Sequence, residues 1–102
     1  MTKKAIAQRT ILLVEKETKK ESKLLIKINE PYLVDERDPG YSPNEEVAAC
    51  VIEFFGIDFD PITIHGVDSI HALAQASDID IYLKKLCGQY NLFFLSGDPY
   101  FE

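Results

Sequence analysis

Tryptophan is absent from the 102 residues, cysteine occurs only twice and glycine five times. Two cysteines, Cys50 and Cys87, exclude a disulfide framework and a four-cysteine zinc site. The glycines at positions 40, 56, 66, 88 and 97 stand singly, which leaves no glycine-rich phosphate loop and no dinucleotide fingerprint. No apolar run approaches the ~20 residues that a membrane span requires. Arg9 interrupts the opening stretch where a signal peptide needs continuous apolar residues, so the chain is expected to stay in the cytoplasm. Cations are scarce beyond residue 30, where only Arg37, Lys84 and Lys85 occur.

The charge that is present is segregated. Residues 1–30 carry eight lysines and arginines against four glutamates, a net of +4. Residues 31–102 carry three cations against 13 carboxylates, a net of −10, and the whole chain sums to -6. An acidic surface repels nucleic acid and anionic membranes, whereas it draws in basic proteins and speeds their encounter. With 46% apolar and 27% charged residues the composition is that of one ordinary domain, spanning 1–102.

Residues 6–15 are rich in β-branched and aliphatic side chains and predict a strand. After a polar turn, Leu24, Ile26 and Ile28 alternate with Lys23, Leu25, Lys27 and Asn29, the period of a half-buried strand. The two segments predict an antiparallel hairpin. From 31 to 44, Pro31, Pro39, Gly40 and Pro43 interrupt the pattern and predict a long irregular connection. Further strands are expected over 47–55, 61–65 and 91–96. Asp68 is suited to cap a helix over 69–89, with Ile70, Leu73, Ala74, Ser77 and Ile81 forming one apolar stripe and Ala76, Ile79, Leu83, Leu86 and Tyr90 another. The expected fold is α+β, a largely antiparallel sheet of about five strands in the order β-β-β-β-α-β, with one long helix on one face.

Few residues carry catalytic chemistry. His65 and His71 straddle the strand-to-helix turn; with Asp68 they could hold a metal, and with Glu53 they could act as an acid–base pair. Neither spacing is a known ligand or triad pattern, and Asp68, Ser69 and His71 on one helical turn cannot form the line of a hydrolase triad. No metal or cofactor is expected. Cys50 and Cys87 read as small core residues.

Carboxylates interleaved with aromatics are the stronger signal. Asp35, Glu36, Asp38, Glu45 and Glu46 bracket Tyr41 in the long connection, and Asp58 and Asp60 flank Phe59. Acids that steer, beside aromatics that anchor, suit a surface that binds a basic protein. These nine residues form the expected partner site.

Arg9-Thr10, Gly66-Val67-Asp68-Ser69-Ile70-His71-Ala72-Leu73 and Leu92-Phe93-Phe94-Leu95-Ser96-Gly97 together resemble a family of small bacterial proteins without an assigned activity. That family joins an Arg-Thr hairpin to a Gly-Val-Asp-(Ser/Ala)-x-x-Ala-Leu helix start and a closing Leu-x-(Trp/Phe)-Leu-(Gly/Ser)-Gly strand. His71 departs from its usual glutamine, and the tract at 30–46 is longer and more acidic. By size, acidity and architecture the chain also resembles the immunity proteins of contact-dependent growth inhibition systems. This likeness implies a non-enzymatic partner that covers the active site of a basic toxin, commonly a nuclease. A small enzyme using His65 or His71 and a homodimeric scaffold domain are the alternatives.

Overall fold

The computed structural model describes residues 4–34 and 47–101. It is α+β, as the sequence predicts. The strands are β1 (Ala5–Glu15), β2 (Glu21–Asn29), β3 (Tyr32–Leu33), β4 (Ala48–Phe55), β5 (Ile62–Gly66) and β6 (Tyr90–Phe93). Between β5 and β6 lie α1 (Ser69–Ser77), α2 (Asp80–Leu83) and a 3-10 turn (Lys84–Leu86).

All strand pairs are antiparallel, and the spatial order is β6, β1, β2 with β3, β4, β5. β2 and β3 lie along the same edge of β4, because β5 pairs with Ala48–Ile52 on the other edge. Pro31 interrupts what is otherwise one long strand there. It has no backbone N–H to give to a ladder. The two-residue β3 falls inside the stretch expected to be irregular, and pairing with β4 overrides the local proline signal.

The alternation in β2 resolves into two faces. Leu24, Ile26 and Ile28 join Ile11, Leu13, Ile52, Phe54 and Leu92 in a core beneath the helices. Burying an Ile or Leu side chain of this size contributes roughly 1.5–3 kcal/mol. Thr10, Leu12, Leu25, Lys27 and Glu53 project from the opposite face, and none of these is fully buried. On that face Asn29, 4% exposed, donates its amide to the Glu53 carboxylate at 2.7 Å, which satisfies both groups at the margin of the core.

The expected helix over 69–89 is divided. α1 ends at Ser77, whose hydroxyl turns back to the Leu73 carbonyl at 2.8 Å, and Asp78 leaves helical geometry with φ −82° and ψ 66°. Short polar side chains that compete for backbone hydrogen bonds weaken a helix interior, and two stand here in succession. One expected apolar stripe is also corrected. Ala72, Ala76, Ile79 and Leu83 face the core, while Ile70 and Ile81 are 79% and 51% exposed. The small seam explains this, because alanines at 72 and 76 let α1 lie close on the sheet and turn its bulkier neighbours outward. No described helix is long and apolar enough to cross a membrane.

Candidate functional site

The Gly66–Leu73 segment sets the geometry around which the candidate surface is built. Gly66 ends β5 against the backbone of Ala72, a contact with no room for a β-carbon. Asp68 has extended backbone angles, and its carboxylate accepts the His71 N–H at 2.8 Å, the N-cap expected from the sequence. The His71 ring then accepts the Val67 N–H at Nδ1, 3.0 Å away, and its Nε2 meets the Gln75 side chain. His71 therefore braces the turn. Replacing Asp68 by alanine should cost about 1 kcal/mol, read as a fall in melting temperature of about 4–8 °C, whereas asparagine should restore most of it.

The histidines do not converge. Ile62 and Ile64 of β5 pack against the core beneath the helices, so alternation sends Thr63 and His65 to the other face. His71 lies on the helical side. Glu53 shares the face of His65 but sits four residues along β4 from its partner Ala49, roughly 13 Å away at ~3.3 Å per residue. Among the described residues no three His, Cys, Asp or Glu side chains group as metal ligands.

Of the nine expected partner-binding residues, Asp35, Glu36, Asp38, Tyr41, Glu45 and Glu46 lie outside the described residues. Val34 and Val47, where that segment leaves and rejoins the sheet, are joined by a backbone hydrogen bond of 2.8 Å. Asp58 and Asp60 are exposed on the β4–β5 connection, beyond the far end of β4 and roughly 25 Å from Val47. Phe59 between them is half-buried, its ring 4.6 Å from that of Phe54. It pins the connection to the core, so little of it is left to anchor a partner.

One network has no local signature in the sequence. Arg9 of β1 donates to the Tyr100 hydroxyl at 2.6 Å, and that hydroxyl donates to Asp80 of α2 at 2.6 Å. Burial and the acceptor carboxylate push the Tyr100 phenol up, partly offset by the arginine. Tyr100 also packs on Phe94 and Phe101, with centroids 4.8 and 4.9 Å apart. The tail aromatics therefore fasten the C-terminal segment to both the sheet and the helices. Cys50 is fully buried, donates to the Asn29 carbonyl and has its thiol pushed up by desolvation, which disfavours the nucleophilic thiolate.

Lys16, Lys19 and Lys20 are exposed on the β1–β2 turn beside Glu17 and Glu21, while Asp58, Asp60, Asp68 and Asp78 are exposed around β5 and α1. No protein-family model, curated protein or solved structure matches the chain, so the resemblance noted above rests on its own motif residues alone.

Proposed function

We propose that this chain is a binding protein that neutralises a basic protein partner, in the manner of the immunity proteins of bacterial toxin systems. It acts by stoichiometric occlusion: carboxylates take the positions that substrate phosphates would occupy in the partner's cleft, and apolar side chains beside them hold the complex. The observation that carries this reading is the segregation of charge, +4 over residues 1–30 and −10 over the remainder. A one-signed face focuses its field on an oppositely charged partner and accelerates association, more strongly at low salt.

The binding residues proposed from the sequence are Asp35, Glu36, Asp38, Glu45, Glu46, Asp58 and Asp60, with Tyr41 beside them and Phe59, packed on Phe54, holding Asp58 and Asp60 in place. The test is binding and neutralisation of the protein encoded next to this chain, measured from low to moderate salt. Lysine at 35, 36 and 38 together should lower the association rate about tenfold at low salt and flatten its salt dependence. Unchanged rates would remove that patch from the interface. Failure of the unaltered chain to bind or inhibit that protein would remove the function.

A further inference from the structure

We infer that the edge of β5 left open among the described residues, with the groove between it and α1, receives an extended basic strand of the partner as an additional strand of the sheet. This inference deepens the immunity reading and rests on it for the partner's charge.

Hydrogen-bond parity identifies the open groups. The Val34 N–H reaches the Val47 carbonyl, so Val47, Ala49 and Val51 direct their backbone groups toward β3 and β2. Ala48, Cys50 and Ile52 then face β5, where they pair with Gly66, Ile64 and Ile62. In an antiparallel ladder the intervening residues point away from that partner. Thr63 and His65 thus turn two N–H and two C=O groups outward, and no described strand meets them. Edge strands are usually blunted by charge or proline. None of Ile62, Thr63, Ile64, His65 or Gly66 is a lysine, arginine, carboxylate or proline.

Beside this edge lies a groove of about 360 Å³ lined by Ile64, Ala74, Gln75, Asp78, Ile81 and Tyr82. Among its described lining residues only Ile64 belongs to a strand, so it opens at β5. Val67 and Ile70, 66% and 79% exposed, extend the apolar surface past the end of the strand. An added strand would place alternate side chains over this groove, which is how edge recognition combines backbone affinity with side-chain selection.

Charge chooses the occupant. Residues 56–85 contain Asp58, Asp60, Asp68, Asp78 and Asp80 against Lys84 and Lys85, a net of −3, and the Lys85 ammonium stands 5.8 Å from the ring centroid of Tyr82 on the helical side of the groove. Asp60 and Asp68 stand at opposite ends of β5, and Asp78 is in the groove wall. A strand with an apolar residue for the groove and lysine or arginine toward its ends complements this surface. A second copy is the poorer occupant, because antiparallel self-pairing centred on Ile64 sets Asp60 opposite Asp68 of the other chain.

The probe is the capped peptide Arg-Val-Lys-Val-Arg, titrated into the 15N-labelled full chain. The Thr63 and His65 amide signals should shift saturably and exchange more slowly with solvent. A peptide with glutamates for its basic residues, or one N-methylated on alternate amides, should bind at least tenfold more weakly. Thr63→Pro should weaken binding to the same degree; it removes an outward N–H and no bond to β4, and proline is tolerated at such an edge position. Ile81→Lys, outside the ladder, tests the groove independently and should also weaken the basic peptide.

Equal binding by Thr63→Pro and Ile81→Lys, shifts that avoid β5, or a concentration-dependent dimer abolished by Thr63→Pro would each overturn the assignment. Wild-type neutralisation of the basic partner by both variants would overturn the β5 site while leaving the immunity reading standing. Peptide pairing at β5 by a chain that neutralises no basic partner would do the reverse.

Discussion

Replacing Gly66 with alanine should remove a large part of the stability of this fold. The new β-carbon would lie 2.4 Å from the Ala72 nitrogen and 2.9 Å from both the Ala72 Cα and the His71 carbonyl carbon. Every one of these is a backbone atom, so no rotamer change relieves the overlap. The helix would have to rise from the sheet, and Ala72 and Ala76, both fully buried, would lose contact with the strands beneath them. Gaps of about 0.5–1 Å already forfeit a quarter to a half of a dispersion contact. The expected loss is about 3 kcal/mol or more, at the upper end of overpacking costs, against a total of about 5–15 kcal/mol for a domain. Urea unfolding followed by circular dichroism measures it. A midpoint within error of the unaltered chain would mean that α1 can slide on β5 and that the tight contact does not determine its position.

Gly56→Ala is the second large effect, and it combines two causes. Gly56 opens the β4–β5 connection at φ +107°, a backbone region that side-chain-bearing residues rarely adopt. Its added β-carbon would also stand 2.1 Å from the Lys23 carbonyl oxygen of β2. Turning Gly56 to negative φ would release both strains but would redirect the chain away from Phe59, which is seated on Phe54. About 3 kcal/mol is again expected, with backbone strain of about 1–3 kcal/mol as one part. Gly88→Ala is the control. A β-carbon there would meet nothing within 4 Å and the backbone is not in the positive-φ region, so the change should be neutral or slightly stabilising. If all three substitutions cost the same, close backbone approach is not what distinguishes these glycines.

The two glycines also show how far local reading extends. Gly66 belongs to a recognisable motif whose cap role for Asp68 follows from residue type and spacing alone. Its contact with Ala72 does not, because that contact depends on where α1 lands on the sheet. Helix periodicity is informative about Ala76, Ile79 and Leu83 but assigns Ile70 and Ile81 to an apolar stripe although they face solvent. A period identifies which residues share a side of a helix, not which side is covered. The break at Ser77-Asp78 is written in polar side chains that the surrounding aliphatic residues outweigh.

The candidate surface divides in the same way. The acid–aromatic pattern around Phe59 suggests an exposed anchor, whereas the ring is committed to Phe54 and leaves Asp58 and Asp60 as the exposed members. The groove beside β5 draws Ile64 from a strand and Ala74, Asp78 and Ile81 from the helical segment. Nothing in their spacing announces that they meet.

Composition and alternation are sufficient for the α+β class, the β1–β2 hairpin, the capped helix start and the split between a basic and an acidic portion. Each depends on near neighbours or on charge, which tertiary contacts do not alter. Packing alone decides that Arg9 holds Tyr100 across 91 positions, that the two histidines occupy opposite faces, and that β5 ends the sheet with its edge open among the described residues. Those outcomes depend on sheet order and on which helical face is buried. They arise from contacts between distant segments, for which a sequence period of two or 3.6 carries no address.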